Sequence, residues 1–299
     1  MVATKRRRRL GSALATVALL TVLGVGTAFF ASRNEPSAPY ALRPQDPGPI
    51  HVHGLGRNPS DGALFIATHT GVWRLPTGAA RAVRVSASLQ DTMGFTVVGP
   101  DRFLGSGHPD LRQARERGVP PHLGLIQSVD AGRSWTPVSL LGRADFHVLR
   151  ASRRHLYGLD SLNGRLLVSR DLGATWGRRK VPAPVYDLAP HPRRAGIVLA
   201  STERGIHRST DAGKTWTRLG DGVGLLSWPQ SDRLYLVDQG GQVFESPDAG
   251  SRWRQSGTLP GQPTAFLAAG PREIYAALHD GTITHSLDRG ASWLVRARP

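Results

Sequence analysis

An eight-residue phrase, Ser-x-Asp-x-Gly-x-(Ser/Thr)-Trp, constrains the fold of this chain more than any other feature of its sequence. It occurs five times, and successive copies start 41, 40, 37 and 40 residues apart. The copies are residues 128–135, 169–176, 209–216, 246–253 and 286–293. A fixed period of this length marks a repeated supersecondary unit. The sequence therefore predicts a repeat protein.

The residue types of the phrase suit a tight turn. Ser and Asp side chains cap backbone N–H groups, and Gly supplies a residue with positive φ. The Trp ring can then clamp the hairpin. The fourth copy carries Arg252 where the others have Ser or Thr. We expect purely structural roles for Asp130, Trp135, Asp171, Trp176, Asp211, Trp216, Asp248, Trp253, Asp288 and Trp293.

The phrase resembles the Asp-box, or BNR repeat, of sialidase-like β-propellers. The segments HVHGLGRNP, GSGHPD and PPHLGLI resemble the group labelled BNR-repeat glycosyl hydrolases. The resemblance implies that each box joins the third and fourth strands of a blade, away from the ligand-binding face. A shared fold does not by itself imply a shared activity.

Residues 50–299 divide into six units, each with strand-like apolar runs separated by Gly or Pro turns. We predict an all-β fold, a six-bladed β-propeller. Seven blades are the alternative, if the linker or the insertion at residues 107–121 contributes a blade. The first unit lacks the full phrase, as terminal repeats often do.

The N-terminal part reads as a membrane-targeting region. Residues 1–9 contain a basic cluster, residues 10–31 are uncharged and mostly apolar, and residues 32–49 are a Pro-rich linker. We predict a signal-anchor helix at residues 10–31, with a cleaved signal peptide as the alternative. By the positive-inside rule the propeller is then extracytoplasmic, either anchored to the cell membrane or secreted.

Charge and cysteine content exclude some classes of site. The chain has no cysteine, so thiolate metal sites and cysteine nucleophiles are excluded. The formal net charge is +16, but the arginines are scattered and form no nucleic-acid-binding module. We expect a monomer with a basic solvated surface and no nucleic-acid partner.

The starts of the inner strands carry polar residues in register. Alignment by hydrophobic alternation places HVHGL beside DTMGF, DFHVL and, more loosely, PVYDL. Alternate residues share one face of a strand, so these side chains are expected to project together at the channel mouth. They are His51, His53, Asp91, Met93, Asp145, His147 and Tyr186.

The ends of the second strands add further histidines at the same mouth. His69, His108 and His279 fall there, and the insertion brings His122. We therefore predict a ligand-binding face formed by His51, His53, His69, His108, His122, His147, Tyr186 and His279. A metal site would use His51, His53, Met93 and His147, and this donor set suits copper or zinc. A hydrated channel without metal would show the same residue pattern.

Glycoside hydrolysis is the alternative function. The resemblance to sialidases implies an Arg-Ile-Pro segment and a Tyr nucleophile paired with Glu. The sequence has no Arg-Ile-Pro segment and no recognisable Tyr–Glu pair. A two-carboxylate mechanism would use Asp91, Asp145 or Asp187. Our prediction is a module that binds a metal ion, a small ligand, or a protein or glycan partner at the mouth.

Overall fold

The computed structural model describes residues 48–299. These residues form six antiparallel four-stranded sheets, each built from four consecutive strands. The predictions for residues 1–9 and 10–31, and for nearly all of the linker at residues 32–49, lie outside the described residues. Within residues 48–299, no helix has both the length and the apolar character needed to cross a membrane.

The strands of the first three blades are β1 (Val52–Arg57), β2 (Leu64–Thr68), β3 (Gly71–Leu75), β4 (Val83–Arg84), β5 (Asp91–Gly99), β6 (Arg102–His108), β7 (Leu125–Ser128), β8 (Thr136–Ser139), β9 (Phe146–Ala151), β10 (Leu156–Asp160), β11 (Arg165–Ser169) and β12 (Gly177–Arg179). Those of the last three are β13 (Val185–Pro190), β14 (Val198–Thr202), β15 (Gly205–Ser209), β16 (Thr217–Gly220), β17 (Leu225–Gln230), β18 (Arg233–Val237), β19 (Gln242–Ser246), β20 (Arg254–Thr258), β21 (Pro263–Ala268), β22 (Ile274–Leu278), β23 (Ile283–Ser286) and β24 (Leu294–Ala297). The six-bladed prediction is confirmed.

The insertion in the second blade forms a short helix, α1 (Leu111–Arg117), instead of a seventh sheet. Asp110 caps this helix by accepting a hydrogen bond from the Arg112 N–H, and Gly118 ends it with φ 64°. Asp110 also accepts a bond from the Leu89 N–H at 2.9 Å, which ties the helix to the segment before β5. The insertion is thereby held in place, and the residues after it return to β7.

The core lies between neighbouring blades. Successive residues of a strand point to opposite faces of its sheet, so Phe65 of β2 packs towards Phe103 of the second blade, whereas Ile66 packs towards the sixth. Second strands are almost wholly buried and mostly apolar, as in Leu64–Thr68 and Ile274–Leu278. The first strands line the channel, and β1 packs beside both β5 and β21. The ring therefore closes without any strand being shared between blades.

All five repeated phrases form the same turn between a third and a fourth strand. In the first copy Ser128 Oγ accepts a bond from the Gly132 N–H at 2.8 Å, and Asp130 Oδ1 accepts one from the Ser134 N–H at 2.9 Å. In the fourth copy Arg252 Nε donates to Asp248 Oδ2 at 2.6 Å in place of the missing hydroxyl. These turns lie at the ends of the third strands, opposite the end at which the first strands begin.

Candidate functional site

Six histidines and two aspartates from the first three blades lie together where the first strands begin. We call this cluster the His-rich mouth; its residues are His51, His53, His69, Asp91, His108, His122, Asp145 and His147. His53 also lines the central channel, a cavity of about 480 Å³ walled by apolar side chains such as Phe95 and Leu226. The channel is also lined by Arg57 and Arg150, so the mouth is a cluster of titratable side chains at one end of a channel of mixed polarity.

Bulges near the starts of the inner strands position several mouth side chains. In β1 Val52 pairs with Thr68 and Gly54 with Ala67, so His53 is an extra, unpaired residue. The same irregularity occurs in four other blades, at Met93, His147, Tyr186 and Thr264. A bulge bends the strand and redirects the extra side chain. The aligned positions predicted from the sequence are thus structurally equivalent in the first four blades.

Two close contacts hold the second and third blades together at the mouth. The Phe146 N–H donates to Ser106 Oγ at 2.9 Å. A Cβ on Gly94 would lie 2.3 Å from the Phe146 carbonyl oxygen, so only glycine allows β5 and β9 to approach this closely. These contacts place Asp145, which directly precedes Phe146, beside the residues of the second blade.

Gly107 is a site-shaping residue that the sequence analysis missed. It has φ 134°, and a Cβ there would lie 2.1 Å from the Asp91 carbonyl oxygen. Its neighbour His108 pairs with Asp91 across β5 and β6. The only sequence signal is the glycine directly before His108 in GSGHPD.

Three residues of the first and second blades form one group of potential metal ligands, His53, His69 and Asp91. Their donor atoms all lie within 4.8 Å of one another. His69 Nδ1 is 3.0 Å from Asp91 Oδ2, and His53 Nε2 is 3.7 Å from Asp91 Oδ1. The rings of His51 and His69 are 5.4 Å apart between centroids, so a further imidazole lies beside the group.

A second group of the same composition spans the second and third blades, His108, His122 and Asp145. His108 Nε2 is 3.5 Å from Asp145 Oδ2, and His122 Nδ1 is 3.9 Å from the same oxygen. His147 Nε2 lies 2.9 Å from this oxygen as well. His108 also links the two groups, because its Nδ1 is 3.2 Å from Asp91 Oδ2.

Burial and pairing set the protonation of the mouth. Burial and the neighbouring His69 lower the pKa of His53 to about 4, which leaves it neutral. Contacts with Asp145 and Asp91 raise the pKa of His108 to about 10. Burial opposes ionisation of Asp91, but its hydrogen bonds with His108 and His69 outweigh that effect and hold its pKa at about 2. The pKa of Asp145 lies well below its ordinary value for the same reasons. Both carboxylates are therefore ionised at neutral pH.

Each ligand group contains two buried polar atoms that have no hydrogen-bond partner among the described residues. In the first group they are His53 Nε2 and Asp91 Oδ1. In the second they are His122 Nδ1 and Asp145 Oδ1. Buried polar atoms are rarely left unpaired, and one explanation for such atoms is an ion at the site.

Four predicted site residues have other surroundings. Tyr186 is exposed, and His279 is exposed in the turn after β22; neither belongs to a ligand group. Met93 is half-buried, two residues after Asp91 on β5. Asp187 is buried, and its oxygens accept from the Leu188 and Leu226 N–H groups and pair with Arg150 at 2.8 Å. Asp187 therefore serves to join blades, whereas Asp91 and Asp145 face the mouth.

Comparison with known proteins gives neighbours by structure alone. No protein-family model matches the chain, and no curated protein matches its sequence. YCF48 from Cyanidioschyzon merolae matches with TM-score 0.51 and 13% identity over 83% of this chain and 85% of that one. YCF48 bound to D1 peptide matches with TM-score 0.50 and 14% identity over 84% and 82% of the two chains. An ancestral GH74 enzyme matches with TM-score 0.54 and 15% identity over 83% of this chain but only 38% of the enzyme. At these identities the likeness establishes a shared β-propeller fold.

Proposed function

We propose that this protein is a metal-binding β-propeller that holds a copper or zinc ion at its His-rich mouth through His53, His69 and Asp91. The observation that carries the proposal is the pair of buried, unpartnered atoms His53 Nε2 and Asp91 Oδ1, which face each other across 3.7 Å. That separation is too long for a hydrogen bond. Two ligands of a tetrahedral ion with bonds of about 2.1 Å lie about 3.4 Å apart. The gap therefore fits a shared ion.

The donor set favours copper or zinc over harder cations. Imidazole suits these borderline ions, whereas magnesium and calcium prefer oxygen ligands. Three protein ligands leave a fourth position open, and the His69 side chain is 46% exposed. An ion held in this way would remain accessible to water or to a small ligand, as in metal sites that keep an open coordination position.

Isothermal titration of chelator-stripped, full-length protein with Zn²⁺ and Cu²⁺ tests the proposal. We expect saturable binding, weakened at least 10-fold in His53→Ala. Glu203→Gln is a matched control, because Glu203 is an exposed acid at the end of the second strand of the fourth blade. No binding of either metal, or unchanged affinity in His53→Ala, would overturn the proposal.

Glycoside hydrolysis is the second candidate. The observation in its favour is that Asp91 and Asp145 flank the same imidazole, that of His108, at an open channel mouth. A two-carboxylate mechanism also needs one protonated carboxyl, and both of these pKa values are lowered. Turnover of aryl glycosides that is lost in Asp91→Asn would support hydrolysis, whereas inactivity over a broad panel would leave only binding.

We also propose that this chain is one of the Asp-box propellers. The support is that all five copies share the same Ser- and Asp-mediated hydrogen bonds.

The structure of YCF48 bound to D1 peptide is similar in fold, which supports a peptide segment as a partner for the mouth. Co-purification with and without His51→Ala tests partner binding; recovery of the same proteins in both cases would argue against the mouth.

We infer an extracytoplasmic propeller, tethered by residues 10–31 or released by cleavage, because a basic cluster precedes an uncharged apolar run. Proteolysis of intact and permeabilised cells tests it. A propeller that is digested only after permeabilisation of the cytoplasmic membrane would contradict this topology.

A further inference from the structure

The second ligand group repeats the composition of the first. Each has two histidines and one aspartate, drawn from two neighbouring blades. In each, one carboxylate oxygen is contacted by imidazoles while the other is buried without a partner among the described residues. Each also contains one buried imidazole nitrogen without a partner. The two groups therefore share their ligand composition and their unpartnered atoms, although in the second group His122 Nδ1 lies 3.9 Å from Asp145 Oδ2, the contacted oxygen.

We propose that the mouth binds two transition-metal ions, the second held by His108, His122 and Asp145. This inference rests on the proposed metal-binding function and extends it from one ion to two. A single tetrahedral ion takes four ligands, fewer than the six donor residues of the two groups. The two ring nitrogens of His108 face different aspartates, so this histidine lies between the two sites.

His108 connects the two sites, because its ring nitrogens face the aspartates of both. Its Nε2 faces Asp145 at 3.5 Å, and its Nδ1 faces Asp91 at 3.2 Å. Histidine ligands commonly donate their second ring N–H to a carboxylate, which fixes the tautomer and the ring orientation. Here that carboxylate is Asp91, a ligand of the first ion. Occupation of one site should therefore alter the affinity of the other.

The third protein element of the second site is the segment that follows α1. The His122 carbonyl accepts a bond from the Gly142 N–H at 2.7 Å, and the Leu123 N–H donates to the Gly107 carbonyl at 2.9 Å. The peptide unit between His122 and Leu123 is thereby hydrogen-bonded to neighbouring backbone through both its carbonyl and its N–H. The backbone that carries the His122 imidazole is therefore anchored beside the second group.

Metal stoichiometry tests the inference. The full-length protein is stripped, saturated with Zn²⁺, freed of unbound metal and analysed for zinc per chain. We expect two ions in the wild type, one in His122→Ala, one in His69→Ala and none in the double variant. Both histidines are solvent-accessible, with side chains 24% and 46% exposed, so these variants should fold; near-ultraviolet circular dichroism checks this.

The outcomes separate this inference from the function on which it rests. One ion in the wild type, lost in His69→Ala and retained in His122→Ala, would overturn the second site and leave the first. No bound metal would overturn both. Two ions that persist in His122→Ala would place the second ion elsewhere and contradict the assignment. Glu203→Gln should keep both ions.

Discussion

The Phe146 N–H donates to Ser106 Oγ at 2.9 Å, and both groups are buried. This bond joins the first strand of the third blade to the second strand of the second. An equivalent bond joins the fifth blade to the fourth, from the Gly224 N–H to Ser201 Oγ at 2.9 Å. A different one joins the first strands of the sixth and fifth blades, from the Ala268 N–H to Ser227 Oγ at 2.9 Å. At the mouth the bond also fixes the backbone beside Asp145, so blade assembly and site geometry depend on the same contact.

Ser106→Ala should therefore destabilise the protein and loosen the second ligand group. Loss of the acceptor leaves a buried N–H unpaired, which costs about 1–3 kcal/mol. Urea unfolding followed by tryptophan fluorescence measures the change. Ser161→Ala, at an exposed serine, is the control and should change the unfolding free energy little. Equal stability of the two variants would show that the inter-blade bond contributes nothing.

Gly107→Ala should displace His108 from Asp91. The added Cβ would meet the Asp91 carbonyl oxygen at 2.1 Å, and backbone has little freedom to move away. Gly78→Ala is the matched control, because Gly78 also has positive φ but no atom within 4 Å of the added Cβ. We expect the control to lose about 1 kcal/mol from backbone strain alone. Gly107→Ala should lose more and should bind less zinc.

Asp187→Ala separates a structural role from a catalytic one. Removal of this buried carboxylate leaves the Leu226 N–H and Arg150 without their partner. Breaking a buried ion pair on one side costs about 3–5 kcal/mol. We expect a large loss of unfolding free energy, with zinc still bound at the mouth if the variant is studied below its unfolding temperature. Unchanged stability would contradict the assignment of Asp187 as a joint between blades.

The repeated turns should make stability depend on acidity below pH 4. The hydroxyl and backbone N–H of Thr175 lower the pKa of Asp171 to about 2, and Ser292 does the same for Asp288. An unfolded Asp has a pKa of about 3.9. Because the folded pKa is the lower one, this stabilisation is complete above about pH 4 and is lost as the pH falls through about 2.

Urea unfolding midpoints between pH 5 and pH 2 measure this dependence. Asp171→Asn should lower the midpoint at pH 7 and flatten its decline below pH 4 relative to the wild type. Because the two curves differ by one carboxylate, titration of the other acids cancels in the comparison. Parallel curves would show that this turn carboxylate does not contribute through its charge.

Much of the fold could be predicted from the repeats, because each phrase ends a third strand and so fixes the phase of its blade. The first-strand alignment also placed His53 and His147 at equivalent positions. The bulges were not predictable, because an extra unpaired residue is a property of the backbone pairing and carries no fixed residue type. Asp187 shows where inference from strand alternation fails. It follows the bulged Tyr186, and its carboxylate contacts Leu226 and Arg150 of neighbouring blades instead of facing the mouth.

The contacts between blades could not be predicted from the repeat pattern either, because that pattern describes one blade at a time. The sequence predicted that several histidines share one end of the channel, but not that His108 lies between Asp91 and Asp145. That relationship depends on how closely β5 approaches β9, which Gly94 permits. His279 directly follows the second strand of the sixth blade, as His69 follows that of the first, yet His279 belongs to neither ligand group.

Each sheet consists of four consecutive strands, so no blade needs a strand from the other end of the chain. The packing of the blades therefore does not depend on which blade comes first in the sequence. Arg296 donates to the Pro76 carbonyl at 2.8 Å across the junction of the sixth and first blades, and a Cβ on Gly48 would lie 2.6 Å from the Pro299 carbonyl carbon. The two ends of the described chain therefore meet. A circular permutant that joins them through a short peptide and opens the chain between β16 and β17 would keep every strand pair intact. The position of the chain ends in the ring is therefore not fixed by the packing of the blades, and any junction between two blades could carry them.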